Sequence, residues 1–284
     1  MSNTKVWFIT GISRGLGKSL AEAALSRGDT VIGTSRNGKA DIDAKKGTLH
    51  VLPLDVVNRA KVFEAVKKAV ELGGNRLDYV VNNAGYGLLC AIEEATPAEF
   101  NPVLDVNFFG TVHVIQAALP FLRKQKSGHI INLSSIAGLA PGGGSGFYAA
   151  AKFAVEGLSI SLAKETSPLG IKVTVVEPGA FRTDFLADSS IRYSENEISD
   201  YSTTSGAMKS RLQSMNGNQI GDPDAAAQAL LKLVGSDEPP VHLILGTDSY
   251  DRASSHIDEF VSDMKKWKPV SVSTDYATAG AAKR

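Results

Sequence analysis

The chain has 284 residues, 43% hydrophobic and 21% charged, an ordinary globular composition with enough apolar material for a sizeable core. Thirty Lys and Arg balance thirty Asp and Glu, so no basic excess is available to grip a nucleic-acid backbone. Charges interrupt the apolar runs before about 18 residues, the opening residues lack the blocks of a signal peptide, and a single cysteine, Cys90, excludes an internal disulfide; the expectation is a soluble, cytoplasmic, metal-free protein without a membrane span.

Taken in chain order, β-branched runs occur at residues 6–9, 30–34, 49–54, 77–81, 129–133, 173–176 and 241–245. Amphipathic stretches lie between them at residues 18–27, 59–72, 97–124, 148–166 and 222–234. Strands alternating with helices predict parallel βαβ units, a doubly wound seven-stranded α/β sheet with helices on both faces. The near-continuous apolar strands suit a sheet buried on both sides. Residues 1–267 read as one domain. Within it, residues 184–221 are rich in Ser, Asn and Thr and read as a long irregular insertion acting as a lid. Residues 268–284 read as a polar, mobile tail.

The first strand runs into Thr10-Gly11-Ile12-Ser13-Arg14-Gly15-Leu16-Gly17-Lys18. Gly11 permits a tight turn, Gly15 lets backbone approach a pyrophosphate, and Gly17 lets the following helix pack closely on the strand. The helix N–H groups then face the phosphates. Spaced glycines alone are weak, but strand before and helix after is the context that a dinucleotide turn requires. Gly11, Ser13, Arg14, Gly15, Leu16 and Gly17 are therefore candidate cofactor-binding residues. After the second strand the sequence reads Thr34-Ser35-Arg36, with no acid before Asp41. A carboxylate there would bond the ribose 2′-hydroxyl of NAD. Arg36 and Arg14 instead suit a 2′-phosphate, so NADP(H) is expected over NAD(H).

Tyr148 and Lys152 are four residues apart at the start of a predicted helix, on one face and about 6 Å apart along the axis. A lysine ammonium close by would favour the phenolate of a tyrosine whose free pKa is about 10. Tyr148 is thus a candidate general acid or base. Ser135 follows the strand at residues 129–133, at the carboxyl edge where open parallel sheets bind ligands. Asn107 lies inside a helical stretch, where Asn is neutral to unfavourable, and with Phe108-Phe109-Gly110 after it suggests a local kink with a polar role. The five histidines show no metal-ligand spacing, and Cys90 reads as a buried apolar residue.

Together these motifs resemble the short-chain dehydrogenase/reductase family, in its shorter single-domain, Rossmann-fold, carbonyl reductase-like branch. The likeness covers residues 10–184, more loosely to 245, and includes Asp55, Asn82-Asn83-Ala84-Gly85, Asn107, Ser135, Tyr148, Lys152 and Pro178-Gly179 with Thr183. The resemblance implies that Asn107 supports a proton relay and Ser135 orients substrate. Tyr148 would transfer the proton, and Lys152 would lower its pKa and hold the nicotinamide ribose. It also implies that Asp55 and Val56 flank adenine, that Asn83, Ala84 and Gly85 face the cofactor, and that Pro178, Gly179 and Thr183 bind the nicotinamide end. Tyr86, Ile136, Phe147, Phe181 and Phe185 are expected to line an apolar substrate pocket. The run Gly142-Gly143-Gly144-Ser145-Gly146 either leaves room for a bulky group or permits a tight loop. The reading is an NADP(H)-dependent interconversion of a ketone or aldehyde with its alcohol; the alternative is a non-catalytic dinucleotide sensor or scaffold. A homo-oligomer, dimer or tetramer, is implied, with Val112, Val114, Ile115, Ala118, Leu158, Ile160 and Leu162 as candidates for sheet and partner packing.

Overall fold

The structure, a computed structural model, describes residues 4–187 and 190–276. In chain order the elements are β1 (Val6–Thr10), α1 (Gly15–Ser26), β2 (Thr30–Ser35), β3 (Thr48–Pro53), α2 (Arg59–Leu72) and β4 (Tyr79–Asn82). Next come β5 (Gly87–Leu89), α3 (Pro97–Leu104), α4 (Gly110–Gln125), β6 (Gly128–Leu133), α5 (Gly146–Thr166) and β7 (Ile171–Pro178). The remainder is β8 (Ile191–Tyr193), α6 (Ala207–Met215), α7 (Pro223–Val234), β9 (His242–Leu245) and α8 (Thr247–Val272). Seven strands form one parallel sheet in the order β3-β2-β1-β4-β6-β7-β9, as the alternation predicts.

The sheet is buried on both faces because successive side chains point to opposite sides. Trp7 and Ile9 of β1 face a core completed by Leu20 and Leu25 of α1 and Leu230 of α7. Phe8, between them, faces the other core, with Val62 and Val66 of α2, Val114 and Ile115 of α4 and Leu162 of α5. Two buried carboxylates clamp the amino end of β1. Asp29 accepts from the Lys5 amide and the Trp7 indole, each at 3.0 Å, and Asp78 accepts from the Val6 amide at 2.8 Å. Side-chain caps start three helices: Asn58 for α2, the Thr96–Glu99 capping box for α3, and Asp222 before Pro223 for α7. Helix α1 takes no side-chain cap.

Several features depart from the sequence reading. Residues 97–125 form a continuous helical run, α3 and α4 joined by a π-turn at Asp105–Phe109, which by length and composition alone is apolar enough to span a membrane. It packs inside the molecule, with Val103, Val114, Ile115, Ala118 and Leu122 buried. Burial also corrects the partner-packing expectation: Val114, Ile115, Ala118 and Leu162 belong to the chain's own core, while the exposed aromatics of this region are Phe109 and Phe153. The insertion at residues 184–221 is not wholly irregular. It contains β8, which pairs in parallel with β5, and α6. Residues 268–272 extend α8 rather than forming a loose tail, and residues 277–284 lie outside the described residues.

Candidate active site

Reading across the sheet, the strand numbers fall from β3 to β1 and then rise from β4, so the topology reverses between β1 and β4. Open α/β sheets bind ligands in the crevice at the carboxyl ends of such a pair. The chain ties this crevice together through Thr10, whose hydroxyl accepts from the amides of Asn83 and Ala84 at 3.0 and 3.1 Å. The Asn83 side chain donates to the carbonyls of Thr10 and Gly11 at 2.9 and 2.8 Å. Its amide is thereby spent on shaping the glycine turn.

Gly11 and Gly15 adopt φ of +74° and +62°, left-handed values that a side chain would strain. Gly17 is tightly enclosed: a Cβ there would run into the Asn83 amide and the Gly11 carbonyl. The turn therefore brings backbone, rather than side chains, to the uncapped start of α1, which favours an anion. Ser13 is exposed and Arg14 occupies the N-cap position of α1. Thr183 lies across the turn, with its Cβ 3.6 Å from where a Cβ on Gly15 would be. Beyond β2, the Ser35 hydroxyl accepts from the Lys39 amide at 2.9 Å and donates to the Lys39 carbonyl at 2.8 Å, leaving Arg36 exposed on the resulting turn. Asp55 is exposed after β3, whereas the Val56 side chain is buried against Gly110. The donor set fits a dinucleotide: a backbone cradle, basic side chains at Arg14 and Arg36, and no carboxylate directly after β2.

The proton-handling groups meet beyond β6. A hydrogen bond joins Ser135 to the Tyr148 phenol, and the Lys152 ammonium lies 5.6 Å from the Tyr148 ring centre. Lys152 is buried and donates to the Leu133 carbonyl at 2.8 Å. Sequence reasoning expects Lys152 to lower the Tyr148 pKa. Among the protein's own groups burial prevails instead, pushing the phenol up to about 12, with the Ser135 hydrogen bond acting in the opposite sense. Burial likewise pushes Lys152 down to about 8, against the pull of Glu156.

Asn107 sits in the π-turn, a local widening often found at functional sites. Its side-chain amide donates to the Val103 and Tyr86 carbonyls at 2.8 and 2.9 Å. Its Oδ1 is buried and has no partner among the described residues. A Cβ at Gly85 would collide with that oxygen and stand 3.7 Å from the Lys152 nitrogen, so Gly85, Asn107 and Lys152 converge.

The expected substrate wall divides. Phe185 lies beside Tyr148, ring centres 5.9 Å apart, and Tyr86 stacks under Arg192 with its hydroxyl buried. Phe147 stacks on Phe100 at 4.4 Å in the cluster between α3 and α5. Ile136 packs with Ala140 and Ala253 toward α8, and Phe181 packs over Gly221 and Gly246. Ile136 and Phe181 thus pack in clusters apart from Tyr148, whereas Phe147 shares its cluster with Tyr86 and Tyr148. The glycine run is a tight loop: Gly144, at φ +82°, lies against Ser205, and a Cβ on Gly146 would strike Ile92. The insertion is pinned over this region. Buried Glu94 accepts from the Ala91 and Ile198 amides at 2.6 and 2.9 Å, while Ser194 donates to the Glu94 carbonyl at 2.9 Å.

One cluster escapes the motif reading. Glu156, one turn beyond Lys152, and Glu177, near the end of β7, are both buried, with carboxylate oxygens within 4.8 Å of each other. His242 approaches Glu177 at 2.7 Å and Glu156 at 3.6 Å. Burial raises both carboxyls well above the usual carboxylate range. Two facing carboxyls cannot both carry charge cheaply, so the pair shares a proton. The signal lies in the sequence: Glu177 ends the apolar run Val173-Thr174-Val175-Val176, and Glu156 shares a helix face with Tyr148 and Lys152.

Comparison with known proteins gives a consistent result. A family model described as short chain dehydrogenase matches residues 5–193. "Oxidoreductase BOA17" of Botryotinia fuckeliana is 40% identical over 275 residues, 95% of this chain and 99% of that protein. A "3-ketodihydrosphingosine reductase" of Bacteroides thetaiotaomicron is 37% identical, covering 85% of this chain and 88% of its own. A solved short-chain dehydrogenase from Streptomyces avermitilis superposes with a TM-score of 0.89 at 36% identity, covering 97% of this chain and all of that one. Solved structures of the same fold hold NADP in one case and NAD in another.

Proposed function

The chain belongs to the short chain dehydrogenase family, and on that premise we propose an NADP(H)-dependent oxidoreductase that interconverts an apolar ketone or aldehyde with its alcohol. The observation that carries this reading is the convergence of Ser135, Tyr148 and Lys152 at the carboxyl edge of the sheet, beside the glycine turn. Gly11, Gly15 and the start of α1 would hold the dinucleotide phosphates, Arg14 and Arg36 a 2′-phosphate, and Lys152 the nicotinamide ribose. The dinucleotide supplies hydride in reduction and accepts it in oxidation.

The remaining chemistry belongs to the chain. Ser135 positions the substrate oxygen against the Tyr148 hydroxyl. A phenol at about 12 stays protonated at neutral pH, which suits Tyr148 to donate. An alkoxide is far more basic, with a conjugate acid near the ~15.7 of water, so transfer from Tyr148 to it runs downhill. Lys152, as its ammonium, favours the phenolate left behind, and Asn107 Oδ1 offers an acceptor on the lysine side. Tyr86 and Phe185 support an apolar substrate, and the Bacteroides relative, a 3-ketodihydrosphingosine reductase by name, supports a ketone. A sensor or scaffold of the same fold would have no use for this proton donor. Exposed Phe109 and Phe153 support a homo-oligomer formed through α4 and α5.

The test is NADPH consumption with a panel of ketones and aldehydes. Tyr148→Phe is expected to lower kcat by about 10²- to 10⁴-fold, the usual worth of a positioned proton donor, with NADPH binding retained. Full activity in Tyr148→Phe would refute the assignment, and NADPH binding without turnover across the panel would favour the sensor.

A further inference from the structure

Helix α8 runs for 26 residues but, among the described residues, touches the rest of the chain only near its start. Ser249 is buried and donates to the Glu177 carbonyl at 2.9 Å, and Ala253 is buried against Ile136 and Ala140. From residue 254 to 272 only Val261 is even half-buried. At 1.5 Å per residue this free part projects about 28 Å.

Its apolar residues are not scattered. Tyr250, Ala253, Ile257, Phe260, Met264 and Trp267 follow one another at alternating spacings of three and four, the seven-residue repeat that marks a helix–helix seam. Ala253 shows where this stripe starts on the chain's own body. Past the edge of the domain the same stripe continues uncovered, with Ile257, Phe260, Met264 and Trp267 all more than half exposed. Four large side chains in line on one helix face are more than the isolated exposed apolar residues usual on a surface.

The charges beside the stripe are segregated. Residues 251–263 carry Asp251, Asp258, Glu259 and Asp263 against Arg252 alone, whereas residues 264–272 carry Lys265, Lys266 and Lys268 with no acid. Two such helices side by side in the same direction would set acid against acid and lysine against lysine. In opposite directions each acidic half lies along a basic half. A lipid surface fits less well, because an anionic bilayer that attracts the lysines repels the three acids beside Ile257, Phe260 and Met264.

We propose that α8 is a self-association surface: its free stripe pairs antiparallel with the α8 of a second copy of this chain. This contact is separate from α4 and α5 and independent of the catalytic reading.

The test is light scattering on the full chain together with two charge variants. Wild type should exceed one 30.0-kDa chain. Lys265→Glu/Lys266→Glu/Lys268→Glu and Asp258→Lys/Glu259→Lys/Asp263→Lys should each lose the contact and fall about twofold in mass, and mixing the two should restore it. These positions are exposed, so folding is not at issue. A twofold loss that the mixture fails to reverse, unchanged masses in both variants, or a wild type that stays monomeric would each overturn the proposal. Binding to phosphatidylserine-containing vesicles by an otherwise monomeric chain would assign the stripe to lipid instead. Orientation is read separately: Ile257→Cys and Trp267→Cys, at opposite ends of the free stripe, should form an interchain disulfide when the two variants are mixed and none when each is alone. A disulfide in each variant alone, with none gained on mixing, would overturn the antiparallel arrangement.

Discussion

Removing one carboxyl from the buried Glu156–Glu177 pair should change how stability depends on pH. Burial raises both carboxyls well above the usual carboxylate range, so the folded pair keeps a proton at neutral pH that the unfolded chain releases near ~4.3. The stabilisation is complete below the unfolded value and is lost as pH rises through the folded one. Each proton held only by the folded state makes stability fall by about 1.4 kcal/mol per pH unit. Glu156→Gln keeps the shape of the side chain and removes one such proton. Relative to wild type it should gain about 1.4 kcal/mol per unit, or nearly 3 kcal/mol between pH 5 and pH 7. Urea unfolding of both proteins at pH 5, 6 and 7 and constant ionic strength measures this difference. Groups elsewhere, such as His129, which burial pushes down to about 4, contribute equally to both chains and cancel. A stability difference independent of pH would refute the shared-proton reasoning.

Other outcomes follow from the same geometry. Arg36→Asp should weaken NADPH binding by about 10- to 100-fold, the loss of about 1.4 to 2.8 kcal/mol, with NADH affected less; titration with both cofactors checks it, and an unchanged preference removes Arg36 from the site. Because burial holds Lys152 near 8, ketone reduction should decline above that pH as the ammonium is lost, and Lys152→Arg should remove this limb from the kcat/KM profile. Gly33→Ala should destabilise by about 1–3 kcal/mol in urea melts, as overpacking does, because a Cβ there would enter the Ile12 side chain in the sheet core.

The large sheet was legible because its strands are largely apolar and separated by helices with clear periodicity. The short pair β5 and β8, three residues each, offers too little pattern to register. Helix α8 was missed for a different reason. Its apolar residues form a narrow seam in an otherwise polar stretch, and with only its first turns on the domain it lacks the broad buried face that marks a core helix. Within the candidate site, glycines and the Tyr148–Lys152 spacing could be read directly. Side-chain direction could not: Ile136 and Phe181 have pocket-lining composition, yet packing with Ala253 and Gly221 decides where they point. The sign of the Tyr148 shift was hidden similarly, since proximity to Lys152 can be inferred from spacing and depth of burial cannot.

The position of β1 at the middle of an all-parallel sheet has a consequence for synthesis. Its neighbours begin pairing with it through Thr30 on one side and Tyr79 on the other, and no adjacent strands of this sheet are joined as a hairpin. As the chain leaves the ribosome, β1 therefore emerges before both of its neighbours and cannot be enclosed until β4 has followed, some seventy residues later. Through that interval one side of a strand whose first four residues, Val6 to Ile9, are all apolar stays open to other nascent chains. Such long-range closure is slow, so the strand that anchors the finished crevice is also the segment most in need of a chaperone while the crevice is being made.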